Sequence, residues 1–145
     1  MTHHMLKFLS RNSMIYKGVI RTMTLGYWMV LAAGILPYFS IVVAKWSRDY
    51  DNAAPRVGLD RLSGLRQRAY WAHLNGFEAF PLFAAAVIIA HLAHAPQQWL
   101  DGLALIFVLL RVVYTLCYIY NKPTLRSLAW AAAFLCVIGL FAISF

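Results

Sequence analysis

Four long apolar stretches, at about 23–44, 69–93, 99–120 and 125–145, alternate along the chain with shorter polar segments. A helix needs roughly 20 residues to cross the hydrocarbon of a bilayer, and each stretch supplies them. Together they occupy most of the 145 residues and leave no length for a soluble domain. The pattern predicts an all-α integral membrane protein folded as one four-transmembrane-helix bundle, residues 23–145. Pro96 breaks the chain between the second and third spans, and Pro123 stands just before the fourth. Pro37 and Pro81 fall inside spans, where neighbouring helices can accommodate them.

Composition supports the membrane assignment. Hydrophobic residues make up 62% of the chain and charged ones only 12%, where soluble domains carry about 25%. The net charge of +8 raises the question of nucleic acid. Lys and Arg gather instead at span ends and in the first loop, with no basic stripe interleaved with surface aromatics, which excludes a nucleic-acid partner. Loop 1 carries Lys45, Arg48, Arg56, Arg61, Arg66 and Arg68, and loop 3 carries Lys122 and Arg126. The opposite side holds Lys7, Arg11, Lys17 and Arg21 of the leader and none in loop 2. Eight basic residues against four place loops 1 and 3 in the cytoplasm. The leader itself, residues 1–22, is basic, and its apolar runs are too short for a secretory signal core. Two alternatives remain for it: a helix lying in the membrane interface, or an upstream extension of a chain that starts at Met23. Cys117 and Cys136 sit within spans without CxxC spacing and read as packing thiols.

The spans contain polar residues that hydrocarbon disfavours. On the second, Arg68, Trp71, Asn75, Glu78 and Leu82 step by three or four and share one helix face. On the third, Arg111, Tyr114 and Tyr118 do the same. At a rise of 1.5 Å per residue, Glu78 lies roughly 15 Å in from Arg68, and Arg111 roughly 13 Å in from Tyr120 on the same side. A lone charge at that depth costs several kcal/mol, so a Glu78–Arg111 pair, or a ligand shared between them, is expected. Asn75, Tyr114, Tyr118 and Arg126 lie between that level and the loop surface. They form a polar cup suited to a small zwitterionic ligand from the cytoplasm, with a lipophilic co-substrate meeting it from the bilayer. The same residues would also serve as interhelical glue, since such hydrogen bonds contribute about 0.6 kcal/mol each.

The run "RAYWAHLNGFEAFPLF", with a basic residue, Asn75, Glu78 and Pro81, resembles the MAPEG family of membrane-associated proteins in eicosanoid and glutathione metabolism. "RVVYTLCYIYNKPTLRSLAW", residues 111–130, resembles that family's third-to-fourth helix region, and "YWMVLAAGILPYFSIVVAKW" its bacterial members. The likeness spans residues 23–145. It implies a homotrimer in a bacterial inner membrane, binding glutathione as co-substrate between subunits near the cytoplasmic face. By position, Arg68, Asn75, Glu78, Arg111, Tyr114 and Tyr118 would bind glutathione, with Glu78 facing its amino end. Arg126 would be the catalytic residue that stabilises the thiolate. The implied activity is a glutathione-dependent transferase or peroxidase acting on lipophilic electrophiles. Two departures stand out: Trp71 occupies a position that is basic in many members, and the Tyr118–Arg126 spacing differs by a residue from some catalytic ones.

Other features carry less. His91 and His94 are three apart at the loop 2 end, with Asp101 able to approach. Interfacial histidines are preferred to a metal site, and no metal is expected. His73, beside the polar face, is assigned to packing. The competing functional class is a non-catalytic membrane subunit that keeps the fold within a larger complex. A transporter is disfavoured, because four spans without repeats lack the usual architecture.

Overall fold

The computed structural model describes residues 23–46, 53, 58, 59 and 61–145. The leader and most of loop 1, including Arg48 and Arg56, lie outside the described residues. Four α-helices follow in order: α1 (Leu25–Lys45), α2 (Gly64–Leu92), α3 (Gln97–Ile119) and α4 (Pro123–Ala142). All four are long and apolar enough to span a membrane, and the described residues contain no strand. The protein is an integral membrane protein. The second helix begins at Gly64, five residues ahead of the apolar stretch at 69, because "LRQR" is helical without being apolar. Hydropathy marks where hydrocarbon starts, and this helix runs past it on its loop 1 side.

The bundle runs up and down. α1 packs most extensively on α2, and α3 on α4, with α3 touching α1 and α2 equally to join the two pairs. The turn after α2 is a Schellman motif: Ala95 N–H returns to Ala90 and His94 N–H to His91, with His94 at φ 57°. The turn after α3 repeats it. Lys122 N–H bonds Cys117, Asn121 N–H bonds Tyr118, and Asn121 sits at φ 57°. Arg68 Nε completes that helix end by donating to the Ile119 carbonyl at 2.9 Å. Arg66 Nε does the same for Ala44 near the end of α1, also at 2.9 Å. These two arginines fasten the start of α2 to the ends of both its neighbours, which sets loops 1 and 3 on one side.

The other end is closed by a polar knot. Asp101 Oδ1 accepts from the Gly26 N–H at 2.7 Å and from Gln97 Nε2 at 2.9 Å, placing a carboxylate at the positive end of α1. His91 is buried and stacked on Tyr27 with ring centroids 4.0 Å apart. Its Nδ1 bonds the Val87 carbonyl at 2.8 Å, so that nitrogen carries the proton. In the neutral ring Nε2 therefore accepts from the Thr24 hydroxyl, 2.7 Å away. Both ring nitrogens are engaged by protein groups. Asp101 does approach across loop 2, as a helix cap for α1.

The apolar core lies in the loop 2 half, centred on Phe83 stacked with Phe107 at 3.9 Å and 7°. Nearer loop 1 the α1–α2 contact tightens around Pro37. A Cβ on Gly76 would stand 2.6 Å from Pro37 Cγ, so only glycine permits this approach. His73 Nδ1 donates to the Pro37 carbonyl at 2.9 Å, which gives this histidine its packing role. Gly76→Ala is expected to destabilise the bundle by about 1–3 kcal/mol through overpacking. Gly102, where an added Cβ meets open space, is the control, and Gly102→Ala should cost nothing measurable in the same detergent unfolding assay.

Candidate functional site

The helical repeat on α2 brings Trp71, Asn75, Glu78 and Leu82 to one side, and Asn75 is its pivot. Its Oδ1 accepts from Arg111 Nη2 at 2.9 Å, and its backbone carbonyl accepts from the same nitrogen at 3.2 Å. Its Nδ2 donates to Glu78 Oε2 at 3.0 Å. The expected direct Glu78–Arg111 pair is thus replaced by a relay in which an amide stands between the charges. The reason is geometric. Arg111 is only 4% exposed, held inside the bundle, whereas Glu78 turns outward into a groove. Asn75 lies between them, and an amide offers an acceptor to the cation and a donor to the carboxylate.

From this relay an aromatic ladder climbs α3 toward loop 3. The Arg111 guanidinium lies 4.3 Å from the Tyr114 ring centre, and Tyr114 meets Tyr118 edge-on at 5.6 Å. The Arg126 guanidinium then lies 4.5 Å from the Tyr118 ring centre. Two edge-on rings between two cations hold four long side chains in place at modest energy per contact, about 0.5–2 kcal/mol. Trp71 borders the ladder, its ring 6.4 Å from Tyr118. Arg126 projects from the first turn of α4 and therefore does point at the site. Its planar fork carries five donors suited to an anion.

Three hollows open along this face, and all of them are lined by Asn75. One of about 360 Å³ lies against Trp71, Leu74, Glu78, Tyr114 and Tyr118. A second, about 240 Å³, adds Arg126, Ser127 and Trp130. The third, about 270 Å³, runs from Glu78 and Arg111 into an apolar recess of Leu82, Phe107, Trp130, Ala133, Phe134 and Val137. Asn75, Glu78, Arg111, Tyr114, Tyr118 and Arg126 thus converge on one groove. Arg68 lines none of these three hollows and instead clamps the end of α3 just beyond Tyr118.

A family model for the MAPEG family matches residues 25–145. The chain belongs to the MAPEG family. No curated protein and no solved structure matches it. The family match covers the whole four-helix bundle, so groove and scaffold fall within one MAPEG unit.

Sequence reasoning missed the α4 wall of this MAPEG groove. Ser127, Trp130, Phe134 and Val137 bear no chemistry that marks them, but they follow Arg126 at helical spacing. Projecting that helix face from Arg126 would have found them. Asn75→Ala removes a hydrogen bond to each of two charged groups, and is expected to destabilise the bundle by about 2–4 kcal/mol. In a double-mutant cycle with Arg111→Met, measured by unfolding in detergent, the cost of Asn75→Ala should shrink markedly.

Proposed function

We propose that this MAPEG protein is a membrane-bound, glutathione-dependent transferase or peroxidase acting on lipophilic electrophiles. One observation carries the proposal: a polar groove and an apolar recess meet at Asn75 and Glu78, within a bilayer-spanning bundle. The groove offers a carboxylate for an ammonium group, phenols for a peptide, and Arg126 for an anion. The recess offers Leu82, Phe107, Phe134 and Val137 to a lipophilic partner arriving through the membrane.

Glutathione would enter as co-substrate. Glu78 and Asn75 bind its amino end, Tyr114 and Tyr118 line the peptide, and Arg111 holds Asn75 in place. Arg68 serves this site by fixing the end of α3. A free thiol with a pKa about 8.5 is mostly protonated at neutral pH. Arg126, bordered by Tyr118 and Trp130, stabilises the thiolate, an effect that apolar walls strengthen. With a halide, the thiolate sulfur bonds to carbon as the carbon–halogen bond breaks, and the halide leaves. With a lipid hydroperoxide, sulfur takes the terminal oxygen as the O–O bond breaks and the alkoxide is protonated; a second glutathione then attacks the sulfenic sulfur, forming the disulfide as the S–O bond breaks and water leaves.

We read the protein as a homotrimer for a physical reason. Glu78 is exposed in the single chain at a depth where hydrocarbon would surround it, and such a charge is costly unless covered. A neighbouring copy closes the groove over it. The eight-to-four distribution of basic residues supports a cytoplasmic side for loops 1 and 3, and hence for the groove mouth, in a membrane we read as a bacterial inner membrane.

Titration calorimetry on the purified protein in detergent, followed by conjugation of a model aromatic halide, tests the proposal. Glutathione is expected to bind at millimolar concentration or below. Arg126→Ala should reduce turnover at neutral pH by about 10²-fold. Its rate should recover as pH rises toward about 8.5, where the thiol ionises unaided. No binding at millimolar glutathione would favour a non-catalytic membrane subunit, in which the Asn75 relay serves assembly alone.

A further inference from the structure

A small cavity of about 10 Å³ lies where α1, α2 and α3 meet, behind the groove. Ala33, Pro37, Gly76, Phe107, Arg111 and Thr115 help to line it. That volume is about one water molecule's worth, and cavities of this size stay dry only when their walls are apolar. Most of this lining is apolar, but Arg111 and Thr115 bring polar side chains to it. Pro37 lies inside α1 and has no N–H, so the Ala33 carbonyl four residues earlier has no donor within its own helix. Ala33 is 6% exposed, beyond the reach of bulk solvent. Arg111 makes both of its hydrogen bonds to Asn75 through Nη2. Among the described residues, its Nε and Nη1 take no acceptor. Thr115, one turn along α3, brings a hydroxyl to the same cavity.

We propose that one buried water is bound at this junction, donating to the Ala33 carbonyl and the Thr115 oxygen and accepting from the Arg111 guanidinium. Three hydrogen bonds match what a buried water ordinarily makes. The water supplies the donor that proline lacks. It also extends the Glu78–Asn75–Arg111 relay onto the backbone of α1, so a third helix fixes the guanidinium on which Asn75 depends. Leaving the carbonyl and the remaining guanidinium N–H groups without partners would be the costlier arrangement in this low-dielectric interior.

A crystal or cryo-electron microscopy map of the full chain, at a resolution that shows ordered waters elsewhere in the protein, decides the matter. A peak is expected within hydrogen-bond distance of the Ala33 oxygen and of Arg111. Pro37→Ala restores the missing N–H, and Thr115→Val removes the hydroxyl at nearly constant shape. The peak should be lost in the double variant, and Thr115→Val alone should lower the unfolding temperature. A wild-type map that shows other buried waters and none here would overturn the proposal. So would a peak unchanged in the double variant. Should that variant fail to fold, the wild-type map decides alone.

Discussion

An amide between two charges organises this bundle. Arg111 is buried deep in α3, and a guanidinium there must have acceptors. Asn75 supplies two, one from its side chain and one from its backbone, and so fixes the rotation of α2 against α3. With its acceptor turned to Arg111, its donor can point only outward, where it holds Glu78 at the groove wall. The same orientation presents the Tyr114–Tyr118 ladder to Arg126 on α4. Charge satisfaction in a poor solvent therefore sets helix register, and register sets the shape of the groove.

The two halves of the molecule solve the polar problem differently. Toward loop 2, Thr24, His91, Asp101 and Gln97 bond one another and the backbone, and Leu100 and Leu140 pack beside them with no exposed surface. That end is closed. Toward loop 3, Glu78 and Arg126 are anchored by one contact each and keep bonding capacity in reserve. Polar groups that finish their own hydrogen bonding hold a fold together, and those that leave some unmade can take a ligand. The contrast between the ends locates the site without reference to family.

Much of this was legible in the sequence, for identifiable reasons. Span number and order follow from hydropathy alone. The shared face of Asn75 and Glu78, and its depth match with Arg111, follow from helical periodicity and rise. The intervening amide did not emerge, because equal depth says nothing about which group reaches the cation first. Arg68 looked like a groove residue by spacing, but periodicity cannot show that its Nε is taken by the Ile119 carbonyl. The apolar α4 wall was hidden because Trp130 and Phe134 resemble any other lipid-facing aromatics. The tight seat of Gly76 on Pro37 was equally invisible, since it depends on a contact between two helices rather than on either one.

The two Schellman turns bear on how the chain enters the membrane. Only residues 93–96 separate α2 from α3, and only 120–122 separate α3 from α4. α1 is joined to the rest by the longer segment 46–63. The last three helices are thus yoked as hairpins, while the first connects to them through a longer stretch of chain. A charged side chain entering hydrocarbon singly costs about 2.5–3.5 kcal/mol at the centre of a helix. Glu78 and Arg111 lie on the two arms of one hairpin, with Asn75 between them, so insertion as a unit lets each charge be matched as it crosses. The arrangement that shapes the groove in the finished protein also keeps its two charges within one hairpin.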